Sequence, residues 1–397
     1  MKKVSLFSCI CACILTAAVT LTCVYGFRRI PGRETPETVT ADKLAEAANV
    51  LRTYYVGKLD EKELADYAVA GMVDSLRDHW SYYLTAEEMD AYRDRIGNRY
   101  GGIGIVVRDG EDGVTVARVY ARSPAGEAGI QTGSCLLAVG EEDVRGLTMQ
   151  EAVEFVSAAI ETGRVDLLLL CPDGVERSYS LIPGDVLTEP VTASLLEDGV
   201  GYIRIENFED RCAEETIAAL EDFLGRGVGG ILFDVRANPG GQLSELLELL
   251  DYLLPEGTLF ISRDSAGNEE TETSGPECLE LPMAVLINED SYSAAEFFAA
   301  ALEEYGWATL VGAPTTGKGR AQVTISLEDG SAIHISHIEY FTPQGRSLSE
   351  TGLAPDLEVP VSMEEREKVY YLELPPEEDR QLRAAVEVLT GIPAVSP

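Results

Sequence analysis

A serine and a lysine, 25 residues apart, are the side chains of this sequence best suited to nucleophilic chemistry. Ser293 follows a short apolar run at 282–287 and begins a stretch, 293–304, of helix-forming composition. A serine at such a strand-to-helix turn lies beside unpaired backbone N–H groups and the positive end of the helix dipole. Those groups can stabilise the oxyanion of an acyl-transfer intermediate, so Ser293 is a candidate nucleophile.

Lys318 is the candidate base that would activate this serine. It is the single lysine between Lys62 and Lys368, a region in which arginine otherwise supplies the permanent positive charge. Arginine stays charged in proteins, whereas a lysine with a lowered pKa can accept a proton. A free lysine titrates near about 10.4, and burial that lowers its pKa to about 7–8 makes it a usable base.

Both residues also have an ordinary structural interpretation. The run from Ser293 to Glu296 (S-A-A-E) matches a capping box, in which the serine hydroxyl only caps the helix. Lys318 would then be a turn lysine that faces solvent. Asp290 or Ser291 could cap the helix instead, which would leave the Ser293 hydroxyl free.

The sequence around these residues resembles the carboxyl-terminal processing, or tail-specific, proteases, which are S41-type serine peptidases with a PDZ domain. The runs that carry the resemblance are Ser293-Ala-Ala-Glu296 and Gly312-Ala-Pro-Thr-Thr-Gly-Lys-Gly-Arg-Ala-Gln322. By this resemblance Ser293 is the nucleophile, Lys318 is the general base and Gln322 orients the lysine. The family often has a second serine two places after the nucleophile, where this sequence has Ala295.

A glycine turn also matches the family. Asp234-Val-Arg-Ala-Asn-Pro-Gly-Gly241 follows its pattern D-x-R-x-N-P-G-G, and by composition alone it is a tight turn before a helix. The resemblance implies that the backbone N–H groups near Gly240 and of Ala294 form an oxyanion hole. The runs at 340–345 (Y-F-T-P-Q-G) and 352–356 (G-L-A-P-D) fit the family too and are expected to brace the site.

A different module opens at Tyr100-Gly-Gly-Ile-Gly-Ile105 and continues through Ser123-Pro-Ala-Gly-Glu-Ala-Gly129. It resembles a PDZ domain in the permuted arrangement of these proteases. Such a domain binds an extended peptide by strand addition and holds its terminal carboxylate on backbone N–H groups. The resemblance implies a carboxylate-binding loop, in which glycines permit close backbone approach. Its residues are Gly101, Gly102, Ile103 and Gly104.

Strand-like and helical segments alternate after residue 185, which predicts an α/β layer with parallel strands. The resemblance implies a crotonase- or ClpP-like protease core. The first helix is expected to follow a linker at 30–40 and to be capped by Thr40 or Asp42. The predicted parts are a signal anchor or transmembrane segment (1–29), a linker and N-terminal helical region (30–97), a PDZ domain (98–184), a Ser-Lys protease core (185–360) and a C-terminal helical tail (361–397).

The N-terminal segment has the features of a membrane anchor. Lys2 and Lys3 precede an apolar run at 4–27 that is long enough to cross a bilayer and longer than a signal-peptide core. Because no small-x-small cleavage site stands out, an uncleaved anchor is favoured over a cleaved signal. Basic residues flank the run on both sides, so charge does not set its orientation. The family resemblance places the catalytic part of a single-pass protein outside the cytoplasm, at the cell membrane.

Charge and cysteine usage limit the partners and cofactors. The formal net charge of −37 argues against a nucleic-acid partner, because phosphate binding needs a basic face. Outside the N-terminal segment the cysteines are scattered without metal-ligand spacing, and the sequence implies no metal or organic cofactor. A disulfide among them and buried free thiols both remain open. These cysteines are Cys135, Cys171, Cys212 and Cys278.

The histidines make a serine–histidine mechanism testable. The chain has only His79, His334 and His337. His334 and His337 are an odd number of places apart on a predicted strand, so they should face opposite ways, and neither has an obvious carboxylate partner.

These features together predict a serine endopeptidase. It would select unfolded or tagged proteins through their C-terminal residues and cleave them through an acyl-enzyme. The rivals are a non-catalytic PDZ scaffold that binds peptide termini and a histidine-based hydrolase. The acidic, helical stretch at 364–389 is a candidate packing or homo-oligomerisation element.

Overall fold

The computed structural model describes residues 36–110 and 113–391, which belong to two compact units divided after Ser75. The signal anchor predicted for residues 1–29 lies outside the described residues. Within the described part, no helix combines the length and apolar character that a membrane crossing requires.

The first unit consists of two helices, α1 (Pro36–Tyr54) and α2 (Glu61–Asp74). The Asp60 side chain caps α2 by accepting hydrogen bonds from two backbone N–H groups of its first turn. The predicted linker at 30–40 is wrong over its last five residues, because α1 already begins at Pro36. Thr40 and Asp42 therefore lie inside the helix and do not cap it. Proline is favoured at the first helical position, because its fixed φ suits a helix and its missing N–H costs no hydrogen bond there.

The second unit combines strands and helices throughout. Its strands, in chain order, are β1 (Tyr82–Leu84), β2 (Arg99–Gly102), β3 (Ile105–Gly110), β4 (Gly113–Val119), β5 (Cys135–Val139), β6 (Glu142–Asp143), β7 (Val165–Leu170), β8 (Glu176–Leu181), β9 (Gly184–Leu187), β10 (Val191–Leu195), β11 (Val200–Ile205), β12 (Gly230–Asp234), β13 (Thr258–Asp264), β14 (Glu269–Thr273), β15 (Met283–Ile287), β16 (Ala308–Gly312), β17 (Arg320–Ser326), β18 (Ala332–Phe341) and β19 (Leu357–Glu358). Its helices are α3 (Ala86–Ile96), α4 (Pro124–Glu127), α5 (Met149–Glu161), α6 (Cys212–Arg226), α7 (Leu243–Leu253), α8 (Ala294–Glu304), α9 (Met363–Tyr370) and α10 (Arg380–Thr390).

A six-stranded sheet in the order β10-β11-β12-β15-β16-β19 forms the core. Its strands from β11 to β19 are parallel, and β10 is an antiparallel edge strand. The α/β layer with parallel strands expected after residue 185 is therefore confirmed. Every residue of β12 and β15 is buried, as expected for strands that are covered on both faces.

Helices cover the two faces of this sheet. On one face Phe233 and Val285 belong to a cluster that includes Leu249 of α7 and Phe298 of α8. On the other face Leu286 contacts the apolar side of the C-terminal helix α10. Each large apolar side chain buried in this way contributes about 1.5–3 kcal/mol to the free energy of unfolding.

The C-terminal tail, predicted to be helical over 364–389, forms two helices, α9 and α10, separated by a short non-helical segment. The segment between them contains Pro375 and Pro376. Proline lacks a backbone N–H and clashes with the preceding turn, so it interrupts a helix. The second helix is then free to turn back onto the core sheet.

A second sheet carries the strand that follows Lys318. Its order is β1-β18-β13-β14, and β17 pairs with β18 on the side away from β1. In the described sheet β17 pairs with β18 alone. The other edge of β17 is therefore open.

An inserted module with its own sheet and core occupies residues between β2 and β9. These two strands pair with each other from Arg99↔Leu187 to Gly102↔Gly184, so the insert leaves and rejoins the rest of the unit through a two-stranded ribbon. Its sheet has the order β3-β4-β5-β7-β8, with β6 beside β5 and α5 packed on one face. Gly101 and Gly102 lie in β2 and not in the predicted loop, which is reduced to Ile103 and Gly104.

Candidate active site

Ser293 lies at the turn that joins β15 to α8, in a backbone conformation that few non-glycine residues adopt. Its φ is 59° and its ψ is −123°, and such a conformation costs about 1–3 kcal/mol. Buried polar side chains hold the turn in place. The Ser291 hydroxyl donates to the Val235 carbonyl at 2.7 Å, and the Tyr292 N–H donates to the Asn238 carbonyl at 3.1 Å. The core therefore fixes this strained conformation, which is common at functional sites.

The capping-box interpretation of Ser293 is only half realised. The carboxylate of Glu296 accepts a hydrogen bond from the Ser293 N–H at 3.1 Å, as a capping box requires. The Ser293 hydroxyl approaches the Glu296 N–H as in a capping box but without a full capping hydrogen bond, and it also interacts with the Tyr340 hydroxyl. The hydroxyl therefore remains available for chemistry.

Glu296 links the turn of the serine to the loop of the lysine. This fully buried carboxylate also accepts hydrogen bonds from the N–H groups of Gly317 at 2.7 Å and Lys318 at 2.9 Å, and from the Thr315 hydroxyl. Burial raises the pKa of Glu296, and these donors oppose that shift. In the sequence, Glu296 is recognisable only as a capping residue, through its place at the third position of the helix.

Lys318 is partly buried, and its environment suits a general base. Burial lowers the pKa of Lys318 to about 8, while the nearby negative charges of Asp78 and Glu296 oppose that shift. Its ammonium lies over the indole ring of Trp80, with Nζ 4.4 Å from the ring centroid. Ser293 and Lys318 line the same cleft, whose volume is about 700 Å³.

Gln322 also lines this cleft, but its amide contacts other partners than the lysine. Its Nε2 donates to the Arg320 carbonyl at 3.0 Å and to the Ser336 hydroxyl at 3.1 Å. The Ser336 hydroxyl in turn helps to lower the pKa of Asp78, whose charge acts on Lys318. The predicted orienting role of Gln322 thus has an indirect route, through Ser336 and Asp78.

Tyr340, the first residue of the Y-F-T-P-Q-G run, contacts both candidate catalytic residues. Its hydroxyl donates to the backbone carbonyl of Lys318 and also interacts with the hydroxyl of Ser293. Burial raises the pKa of this phenol, so it stays protonated. Its ring packs against Phe260 and Phe297, which fixes its position.

The predicted oxyanion donors lie on two adjoining turns. Gly240, with φ 88°, packs directly against the serine turn. Its N–H donates to the Asn238 side-chain oxygen at 2.8 Å and is therefore not free in this structure. Ala294 is the first residue of α8, so its N–H has no acceptor within the helix.

Replacing Gly240 by alanine is expected to reduce kcat for peptide cleavage by about 10²–10³-fold. A Cβ at this position would lie 2.7 Å from Ser293 Cβ and 2.9 Å from Ala294 N, so the nucleophile and its neighbouring donor must move. Gly267→Ala is the matched control, because Gly267 has a similar φ of 85° but no atom near its Cβ position. Steady-state kinetics and thermal unfolding of both variants separate the effects. If both variants lost kcat equally, the loss would come from the strain of alanine at a positive φ and not from contacts with the serine turn.

Arg236 ties the oxyanion turn to the C-terminal segment. Its guanidinium contacts Asp234 at 2.6 Å and Asp379 at 2.7 Å, and all three side chains are buried. Burial alone would raise the pKa of Asp234, but the charges of Arg236 and Arg204 outweigh it and hold that pKa well below its usual range. Breaking such a buried pair leaves an uncompensated charge, so this cluster constrains the turn.

The histidines are less suited than Lys318 to act as the general base. His334 lines the cleft, but its Nδ1 is hydrogen-bonded to the Thr324 hydroxyl at 2.8 Å and its ring stacks on Tyr82. Burial lowers the pKa of His334 to about 4, which makes it a weak base. His337 is exposed on the same strand, and His79 lines the cleft.

None of the four described cysteines forms a disulfide, and three of them are buried. The open question between a disulfide and buried thiols is thus answered against a disulfide among Cys135, Cys171, Cys212 and Cys278. Within residues 36–110 and 113–391, no group of histidine, cysteine and acidic side chains is arranged to hold a metal ion.

The predicted carboxylate loop of the insert is short and tightly packed. Ile103 is buried, and its carbonyl accepts a hydrogen bond from the Ala125 N–H. Gly104 has a φ of 85°, and a Cβ there would collide with the Ser123 side chain. Glycine is therefore required at this position for packing, while peptide binding by the loop remains a prediction.

Three comparisons with known proteins agree with this architecture. Residues 199–359 match the description "Peptidase family S41", residues 115–169 match "PDZ domain", and residues 29–88 match "Activating protease CtpB N-terminal domain". The chain is 30% identical over 328 residues to a carboxy-terminal-processing protease of Bartonella bacilliformis, covering 81% of this chain and 75% of the relative. It is 26% identical over 377 residues to the carboxy-terminal processing protease CtpA of Bacillus subtilis, covering 94% of this chain and 80% of that protein.

A solved structure of a putative S41 protease from Bacteroides fragilis has the same fold, with a TM-score of 0.58 at 18% identity over 84% of this chain and 90% of that one. The α/β core and the inserted PDZ domain, together with the family matches, define a serine protease. The chain belongs to the carboxy-terminal processing proteases of peptidase family S41.

Proposed function

We propose that this protease cleaves peptide bonds with a Ser-Lys catalytic pair and an acyl-enzyme. The observation that carries the proposal is that Ser293 and Lys318 line one cleft, where a strained turn presents the serine and burial lowers the pKa of the lysine to about 8. Neutral Lys318 accepts the Ser293 proton while the serine oxygen attacks the peptide carbonyl. The tetrahedral intermediate collapses to an ester, and the lysine gives its proton to the leaving amine. Water then attacks the ester with the lysine again as base, and the freed serine recovers its proton.

The oxyanion of each tetrahedral intermediate is stabilised by the N–H groups of Ala294 and Gly240. In this proposal the oxyanion replaces Asn238 as the acceptor for the Gly240 N–H, because a full negative charge is the stronger acceptor. Glu296 holds the backbone of both catalytic residues during these steps. Gln322 orients the lysine through Ser336 and Asp78.

The substrate binds in an extended form along the open edge of β17. Strand addition would satisfy its backbone groups there. The cleft wall beside the serine includes the apolar side chains of Leu246, Phe260 and Phe297. This wall suits an apolar substrate side chain next to the scissile bond.

The PDZ domain selects unfolded or tagged proteins through their C-termini. The names of the curated relatives, carboxy-terminal processing proteases, support this assignment. We also propose that residues 1–29 anchor the chain in the cell membrane with the catalytic part outside the cytoplasm. The crotonase- or ClpP-like relationship of the core and a homo-oligomeric state remain predictions.

Two unstructured protein substrates that differ only in their last three residues test the tail selection. The full-length enzyme is expected to cleave the substrate with the apolar tail at least about tenfold faster than the one that ends in aspartates, because PDZ domains bind the terminal residues directly. An apolar tail peptide added in excess should slow the cleavage of the first substrate. Equal rates on both substrates would contradict selection through the tail. Binding of the tail without cleavage of either substrate would favour the non-catalytic scaffold.

A further inference from the structure

An arginine lies in the active-site cleft with no acidic partner at ion-pair distance among the described residues. Arg95, in the last turn of α3, lines the same cleft as Ser293 and Lys318. None of the ion pairs in the described part of the chain includes Arg95, whereas Arg93 of the same turn pairs with Asp90 at 2.7 Å. Four other described arginines, Arg77, Arg122, Arg380 and Arg383, also have no ion pair, but of these five only Arg95 lines the cleft.

Arg95 is exposed to solvent and contacts an aromatic ring of its own helix. Its guanidinium carbon lies 5.1 Å from the centroid of the Tyr92 ring, a cation–π distance. The Tyr92 hydroxyl accepts a hydrogen bond from the Thr324 hydroxyl at 3.1 Å, and the same Thr324 hydroxyl contacts His334 Nδ1 at 2.8 Å. The ring under the arginine is thereby linked to β17 and β18, two strands that border the cleft.

The charges around this arginine favour an anion. Glu209 is the only acidic side chain among the residues that line the cleft, and one of its carboxylate oxygens has no hydrogen-bond partner. Burial raises the pKa of Glu209 to about 7, and the positive charge of Arg95 opposes that shift, so the negative charge of Glu209 is incomplete at neutral pH. Among its lining residues the cleft therefore has two basic side chains, Arg95 and Lys318, and one partly neutral acid, while the charges of Asp78 and Glu296 act on Lys318.

We propose that Arg95 forms a subsite for a carboxylate of the bound peptide. This inference rests on the proposed function, because it assigns a further contact in the same cleft. The guanidinium presents a planar fork of donors that matches a carboxylate, and Tyr92 already orders it in the free enzyme. The carboxylate comes either from an aspartate or glutamate side chain near the scissile bond or from the free C-terminus of a short substrate.

A set of short peptides distinguishes these sources. The neutral parent peptide is compared with versions that carry one aspartate at each position around the scissile bond, and with free-acid and amidated C-termini. The measured quantity is the ratio of kcat/KM for each acidic peptide to that for the neutral parent, at a single pH. A change in the Lys318 pKa affects both members of the ratio equally and therefore cancels.

The wild-type full-length enzyme is expected to favour one acidic peptide by about five- to tenfold. Arg95→Gln should bring that ratio to about one, and Arg95→Lys should keep part of it. Arg93→Gln, in the same helical turn, should keep the wild-type ratio. A preference for the free acid over the amide that survives in Arg95→Gln belongs to the PDZ domain and would contradict the terminal-carboxylate source.

Two results would overturn the subsite: no acidic preference at any position in the wild type, or an unchanged ratio in Arg95→Gln. Failure of the proposed function would look different. In that case the neutral parent would be cleaved equally by the wild type and by Ser293→Ala, whatever the Arg95 variants did.

Discussion

Ser293→Ala is expected to reduce kcat for peptide cleavage by at least about 10⁴-fold, because the variant lacks the oxygen that forms the acyl-enzyme. The fold should be unaffected. Ser293 makes no capping hydrogen bond, and alanine experiences the same positive φ of 59° as serine. Steady-state cleavage of an unstructured substrate with an apolar tail, together with thermal unfolding, measures both quantities.

Ser265→Ala serves as the control for the serine variant. Ser265 is exposed in the turn between β13 and β14, so its replacement should leave both kcat and the unfolding temperature unchanged. Substrate binding by Ser293→Ala should persist, because neither the PDZ domain nor the cleft wall is altered. Retention of more than about a hundredth of wild-type activity in Ser293→Ala would rule out this serine as the nucleophile.

Lys318→Arg is expected to lower kcat/KM by about 10³-fold or more, nearly as much as Lys318→Ala, because arginine keeps its proton at any pH of interest. In the wild type, only neutral Lys318 can accept the serine proton. With its pKa lowered to about 8, about a tenth of the lysine is neutral at pH 7. We therefore expect kcat/KM to rise with pH through about 8 and then to level off.

The histidine-based alternative makes the opposite prediction for the same measurement. It requires that the Lys318 variants keep activity and that a histidine variant loses it. His334→Gln is the matched variant, since glutamine can still hydrogen-bond Thr324 in place of the ring nitrogen. If His334→Gln abolished cleavage while Lys318→Arg retained it, the Ser-Lys pair would be wrong. A pH profile without an inflection near 8 would argue against Lys318 as the titrating group.

Local sequence patterns predicted the core elements closely. The apolar run at 282–287 forms β15 except for its first residue, and the S-A-A-E run begins α8 within one residue. These elements follow from periodicity and burial, which act over short stretches of chain. The error falls at a helix end, where Pro36 starts α1 earlier than Thr40 or Asp42.

The sequence by itself determined the family, the parallel α/β core and the candidate pair Ser293 and Lys318, because each is encoded in a contiguous run. Only the tertiary structure decided how these runs support one another. Glu296 joins the serine turn to the lysine loop, and the Tyr292 N–H donates to the Asn238 carbonyl of the glycine turn. Arg95 is brought to the catalytic cleft from a helix nearly two hundred residues away in sequence. Such contacts depend on long-range packing, and their energetics depend on burial, neither of which a local pattern contains.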